Sequence, residues 1–231
     1  MIGIIIPAHN EERYLDACLH AARIAAGHSA LCGEPVRITV ALDSCTDGSL
    51  AIVAQHAAQE QGIDGICVDA HNVGIARAAG ARHLLQFGAR WLAFTDADTQ
   101  VSPDWLVQQL RLNVDVVCGT VAVDDWSPHH DDAELLRNHF RNSYTDADGH
   151  RHIHGANLGV SAAAYLRAGG FEPLACSEDV ALVEALQRSG AQFAWSAAPR
   201  VNTSARRDAK ARGGFGDTLI RYAATARAAT A

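Results

Sequence analysis

The six cysteines of this 231-residue chain (Cys18, Cys32, Cys45, Cys67, Cys118 and Cys176) form no Cys-x-x-Cys pair and no zinc-ligand spacing. That excludes a zinc framework built on cysteine. An excess of positive charge is also missing. The net charge of -7 argues against a nucleic-acid polyanion as main partner. Only Arg206, Arg207, Lys210 and Arg212 cluster, which leaves room for a local anion site. No apolar run approaches the ~20 residues of a membrane span, so no integral membrane segment is expected. The start, Met-Ile-Gly-Ile-Ile-Ile-Pro, lacks a basic region and a cleavage site and reads as a strand. A reducing, cytoplasmic setting is the expectation. Repeats and low-complexity tracts are absent, and 48% hydrophobic with 19% charged residues is an ordinary globular balance.

What is present is a rhythm. Residues 2–6 form a branched-aliphatic run, as a strand buried on both faces would. Helical spacing follows over 11–26, then a strand over 36–42, a helix over 47–61, a strand over 65–69, a helix over 74–87 and a strand over 91–95. Such alternation predicts an α/β fold, a mainly parallel Rossmann-like sheet with right-handed crossovers. Beyond residue 98 the pattern is mixed. A short helix is expected over 103–112, a strand over 114–123, a loop with one helix (132–142), a strand over 154–161 and helices over 162–167 and 177–189. A strand over 192–196 and a final helix over 217–228 complete it. One domain is expected, with a nucleotide-binding half (1–100) and an acceptor and catalytic half (101–231).

Ligands of open parallel sheets sit beyond the carboxyl ends of the strands. Polar residues gather at those ends: Pro7, His9, Asn10 and Glu11; Asp43, Ser44, Thr46 and Asp47; Asn72; and Asp96 with Asp98. Helix capping accounts for Asp47 and fits Asn10. It does not account for two carboxylates directly after Trp-Leu-Ala-Phe. Close like charges repel unless a cation or donors stand between them, so a divalent metal with a phosphate is the economical reading. A phosphatase-type nucleophile pair is rejected, because the acids follow the fourth strand and Gln100 fills the diagnostic offset.

Six segments occur in one order: Ile-Pro-Ala-His-Asn-Glu-Glu (6–12), Leu-Asp-Ser-Cys-Thr-Asp-Gly-Ser (42–49), Asn-Val-Gly-Ile-Ala-Arg (72–77), Thr-Asp-Ala-Asp (95–98), Gly-Ala-Asn (155–157) and Ser-Glu-Asp (177–179). In that order the chain resembles the family 2 glycosyltransferases of the GT-A fold over roughly residues 1 to 205. The resemblance implies a nucleoside-diphosphate sugar as donor and a hydroxyl acceptor. Pro7, His9, Asn10, Glu11 and Asp43 would hold the nucleoside, with Leu42 where the family often has an acid. Asn72, Gly74 and Arg77 would line the nucleotide pocket, Gly74 allowing close backbone approach. Asp96, Ala97 and Asp98 would position ribose and a Mn²⁺ or Mg²⁺ ion, with Asp98 the direct ligand.

By the same resemblance, Asp179 would be the base that takes the acceptor proton, and Glu178 its support. Gly155, Ala156 and Asn157 would approach the sugars. Preference for the positive end of a helix is the competing account of Glu178 and Asp179. A surface arginine is the equal alternative for Arg77. His150, His152 and His154 alternate, so a strand would place them on one face; acceptor contact or solvation is preferred there over zinc. Relatives often supply a metal-ligating His after the last core strand, where this chain has Asn202, Thr203 and Ser204. Arg206, Arg207 and Lys210, hinged by Gly213, Gly214 and Gly216, are read as a basic loop, with a fold over the leaving diphosphate as the alternative.

The implied reaction is inverting and, without a Gln-x-x-Arg-Trp signature, non-processive. A retaining transferase, a nucleotidyltransferase and a non-catalytic nucleotide-sugar-binding module remain the alternatives.

Overall fold

The structure is a computed structural model that describes residues 1–208 and 215–230. Lys210, Arg212, Gly213 and Gly214 lie outside the described residues. The strands are β1 (Ile2–Ala8), β2 (Val36–Asp43), β3 (Ile63–Val68), β4 (Trp91–Phe94), β5 (Thr99–Val101), β6 (Val116–Gly119), β7 (Leu158–Ser161), β8 (Phe193–Ser196) and β9 (Val201–Thr203). The helices are α1 (Leu15–Ala26), α2 (Ser49–Gln59), α3 (Val73–Gln86), α4 (Trp105–Arg111), α5 (Ala133–Ser143), α6 (Ala162–Ala168), α7 (Glu178–Arg188) and α8 (Phe215–Thr230).

Seven strands form one sheet in the order β3-β2-β1-β4-β7-β6-β8. The pairs β1–β2, β2–β3 and β1–β4 are parallel, β7 runs antiparallel to β4 and β6, and β8 is parallel to β6. The mainly parallel sheet with a mixed second half is therefore as expected. Successive residues of β1 feed opposite cores. Ile2, Ile4 and Ile6 pack with α1 and with Trp105 and Leu106 of α4, while Ile5 packs with Leu84 of α3, Phe94 of β4 and Leu182 and Leu186 of α7. Burial on both faces is why this strand reads as an unbroken apolar run. A third cluster of Trp126, Leu136, Ala205, Leu219 and Ala223 ties α5 and α8 to the chain just before Arg206.

Three expectations need correction. The helix after β1 starts at Leu15, not residue 11, because Tyr14 and Leu15 N–H groups close a turn onto the Glu11 carbonyl. The strand expected over 154–161 is only Leu158–Ser161. His150, His152 and His154 precede it in irregular backbone, although their rings still stack in sequence at 5.5 and 5.9 Å. The strand expected over 114–123 is Val116–Gly119, and Ala122 makes an isolated bridge to Asn202 instead. The three-residue strands β5 and β9 had no sequence counterpart. They pair antiparallel, with the Thr99 and Thr203 hydroxyls 2.8 Å apart, and so carry residues 203–206 to Asp98.

Candidate active site

From β1 the chain moves outward through β2 and β3, then returns to place β4 on the other side of β1. The β1/β4 boundary is thus the topological switch point, where a crevice opens beyond the strand ends. A cavity of about 770 Å³ lies there, within the usual range of small-molecule sites. Pro7, His9, Glu11, Asp43, Asn72, Arg77, Asp96, Ala97, Asp98, Gly155, Glu178 and Asp179 all line it. Three expected residues do not: Asn10, Gly74 and Asn157.

Two arginines organise its acids. Arg77, projecting from α3 and 3% exposed, places Nη2 2.5 Å from Asp96 Oδ1 and Nε 3.1 Å from Glu178 Oε1. Its Nη1 donates to the Gly155 carbonyl at 2.6 Å. Burial opposes its charge, but Asp96, Glu178 and Asp179 outweigh that and hold it protonated. The surface-arginine alternative is therefore set aside. Gly155 is required here, because a Cβ at that position would fall 2.4 Å from the guanidinium.

Arg206 makes the second bridge. It grips Glu11 through both outer nitrogens at 2.5 and 2.6 Å and sets Nε 3.1 Å from Asp98 Oδ2. Burial pushes the Asp98 carboxyl up to about 7, assisted by Asp96 and Glu11 and opposed by Arg206. The sequence offered Arg206 only as one of several basic residues after the last strand. No spacing rule links it to Glu11, 195 positions away.

Glu178 and Asp179 open α7. Glu178 is 6% exposed, and burial raises its pKa against the pull of Arg77. Asp179 Oδ2 accepts the Gly155 N–H at 2.8 Å and Oδ1 accepts the Val180 N–H at 2.8 Å. Each oxygen keeps a lone pair free for a further donor.

Other expected residues serve the frame. Asp43 borders the cavity, yet its carboxylate is committed to the loop after β3: Oδ1 accepts from Ala70 N, His71 N and Ser44 Oγ, and Oδ2 from Asn72 N. Burial alone would raise its pKa, but those donors outweigh burial and hold it low. Asn72 caps α3, accepting the Ile75 N–H at 3.0 Å. Asp47 is not the cap of α2, whose N-cap is Gly48; it accepts from Glu12 N and Ser49 N in the turn just before that helix. Asn10 turns away to accept the Thr46 N–H and borders a separate cavity of about 270 Å³.

Gly74 allows a close approach, but to the protein itself. A Cβ there would lie 2.3 Å from the Glu172 carbonyl oxygen and 2.8 Å from that of Leu174. Because those atoms are backbone, Gly74→Ala is expected to lower stability by about 2–3 kcal/mol. A denaturant midpoint within experimental error of the parent would contradict this packing.

Asn157 is fully buried and accepts from Trp105 Nε1 at 2.8 Å, while its Nδ2 donates to the Thr120 and Pro199 carbonyls at 2.7 and 3.0 Å. Its task is to join β6, β7 and α4 behind the cavity, not to meet a sugar. Asn157→Ala strands three buried polar groups and should cost about 3 kcal/mol by denaturant unfolding. A loss below ~0.5 kcal/mol would remove that role.

A hard divalent cation fits the donor set in part. Among the described residues Asp96 Oδ2 and Asp98 Oδ1 have no basic partner, and burial, with Asp96 and Glu11 nearby, raises the Asp98 pKa. Among the described residues no cluster of three or more His, Cys, Asp or Glu side chains forms a closed cage. Two carboxylates with phosphate and water oxygens are a set that Mg²⁺ and Mn²⁺ accept.

Comparison with solved structures gives the same fold. TarS 1-349 of S. aureus, in complex with UDP-GlcNAc, matches with a TM-score of 0.65 at 13% identity, over 97% of this chain and 65% of that one. The mannosyltransferase PcManGT from Pyrobaculum calidifontis, in complex with GDP-Man and Mn²⁺, matches with a TM-score of 0.62 at 17% identity, over 90% and 58%. The chain thus spans under two thirds of these neighbours' lengths, and the GT-A-type architecture is what it shares with them. No curated protein sequence matches it. The family model described as Glycosyl transferase family 2 matches residues 3–167. That is well over half of the chain, and the protein belongs to glycosyl transferase family 2.

Proposed function

We propose that the protein transfers a sugar from a nucleoside-diphosphate sugar to a hydroxyl acceptor, with inversion at the anomeric carbon. The observation that carries this reading is the gathering of Asp96, Asp98 and Asp179 in one cavity at the sheet's switch point. The solved neighbours that hold UDP-GlcNAc and GDP-Man support a nucleotide-sugar donor.

In this reading the nucleoside lies against Pro7, His9 and Asn72, while Asp43 shapes their loop from behind. Asp96 and Asp98 would hold a Mn²⁺ or Mg²⁺ ion, which when bound would supply positive charge to the leaving diphosphate. Arg206 adds positive charge beside it. The acceptor oxygen attacks the anomeric carbon as Asp179 takes the hydroxyl proton. The bond from that carbon to the phosphate oxygen breaks, and its electron pair leaves with the nucleoside diphosphate. Arg77 fixes Asp96, Glu178 and the Gly155 carbonyl in one frame, and the Gly155 N–H orients Asp179.

No described helix is long and apolar enough to cross a membrane. Cytoplasmic residence is part of the proposal, supported by six cysteines, none in a disulfide.

A thermal-shift panel of nucleoside diphosphates and their sugars, with and without manganese, tests the reading without an acceptor. Ligand at a hundred times Kd should add about 2.7 kcal/mol of stability. A flat panel across every base would overturn it.

A further inference from the structure

One cavity residue outside the acidic frame has its proton placed by its surroundings. His154 lines the cavity immediately before Gly155, whose N–H is given to Asp179. Its Nε2 lies 2.9 Å from Tyr144 Oη. The same Oη is 2.8 Å from the Val121 backbone nitrogen, an N–H that can only donate. That N–H occupies one side of the phenolic oxygen, and the phenolic hydrogen has His154 Nε2 as its near acceptor; the tautomer that accepts it is the one assigned below. A neutral imidazole that accepts at Nε2 carries its hydrogen at Nδ1. No described residue pairs with that Nδ1.

The arrangement is stiff. Tyr144 is stacked between Phe140 at 4.6 Å and His152 at 4.1 Å. Burial, then His152 and His150, pull the His154 pKa down to about 4, against Asp96. The ring is therefore uncharged at neutral pH. It offers a directional N–H beside a carboxylate cluster but no charge with which to hold a phosphate. The same cavity is lined in part by the apolar Val121, Ile153 and Phe215. A polar but uncharged group suits that surface, and a sugar hydroxyl is the member of that class the reaction supplies.

We propose that His154 is a positioning residue whose Nδ1–H, fixed by Tyr144, donates to an uncharged sugar hydroxyl in the cavity. The inference rests on the glycosyl-transfer reading for its ligand, though not for its tautomer.

Long-range ¹H–¹⁵N correlation spectra of ligand-free protein read the tautomer directly. The Nδ1–H form is expected in the unmodified protein, with loss of the single tautomer in Tyr144→Phe. An Nε2–H form in the unmodified protein overturns the proposal. Calorimetry then compares UDP with UDP-GlcNAc, and GDP with GDP-mannose, on unmodified protein, His154→Ala, His154→Asn and His154→Gln. If the hydroxyl belongs to the donor, His154→Ala weakens the sugar nucleotide roughly tenfold and spares the bare diphosphate. If it belongs to the acceptor, donor affinities hold, and stimulation of nucleoside-diphosphate release by an added free hexose falls by about the same factor. In either case Asn, whose amide nitrogen stands near the Nδ1 position, should rescue, and Gln should not. Equal behaviour of all four proteins in both arms overturns the positioning role. Failure of the unmodified protein to bind any nucleotide defeats the glycosyl-transfer reading and the hydroxyl assignment with it, while the tautomer stands.

Discussion

Asp179→Asn is expected to lower turnover by roughly 10²–10⁴ while leaving donor affinity within about twofold. The split follows from what Asp179 touches. Among the described residues its oxygens accept only the Gly155 and Val180 N–H groups, at 2.8 Å each, and it makes no ion pair with either arginine that frames the acids. Asparagine keeps the shape and one acceptor oxygen but cannot take a proton. Glu178 is a poor substitute as base. It is 6% exposed with Oε1 3.1 Å from Arg77 Nε, so its carboxylate supports that guanidinium instead. Single-turnover rates at saturating donor, with calorimetric donor affinity beside them, separate the two effects. Unchanged turnover in Asp179→Asn would transfer the proton to another group and end this assignment.

Asp98→Asn should move stability and binding in opposite directions. Folding raises the Asp98 pKa from 3.8 to about 7, so the folded state binds its proton more tightly than the unfolded chain. The associated stability is fully present below pH 3.8 and is lost as pH rises through about 7. Ionised Asp98 therefore weighs against the fold at neutral and higher pH, with a ceiling near 4 kcal/mol. Asparagine removes that charge but gives Arg206 a weaker partner, so a net gain of about 1–2 kcal/mol above pH 7 is expected, vanishing near pH 4. If Asp98 is the metal ligand proposed above, metal-assisted donor affinity should fall at least ~100-fold. Urea unfolding at pH 8 and pH 4, paired with calorimetry, reads both. Loss of stability at pH 8, or full retention of donor affinity, would contradict the role.

The parallel half of the fold was legible because burial on both faces of the sheet writes unbroken apolar runs such as Ile2–Ala8 and alternates them with helical spacing. β5 and β9 were not. Three residues carry no readable period, and these strands exist because their neighbours bring them together. The alternating histidines look like one strand face, but among the described residues no strand pairs with them; ring stacking and the Tyr144 hydrogen bond hold them instead.

At the site, sequence placed the acids on the right edge of the sheet but not their orientation. Asp43 and Asp98 look alike in sequence, each an acid at or just past the end of an apolar strand. One is spent on the N–H groups of a neighbouring loop and the other stands underneutralised in the cavity. Asn157 sits inside a recognisable motif, yet its amide is consumed by Trp105, Thr120 and Pro199. Arg206 was hardest to see, since its partner Glu11 lies at the other end of the chain and the short β5–β9 pair brings it within reach.

The central claim is that a nucleoside diphosphate lies in the cavity beyond β1 and β4, its phosphates beside Asp98. A crystal structure of the complex with manganese and whichever diphosphate most stabilises the protein tests it most directly. The account predicts the nucleoside against His9 and Asn72, and phosphate oxygens sharing a cation with Asp98. Nucleotide seated elsewhere, for example in the smaller cavity beside Asn10 and Asp47, with the Asp98 crevice empty, would contradict it.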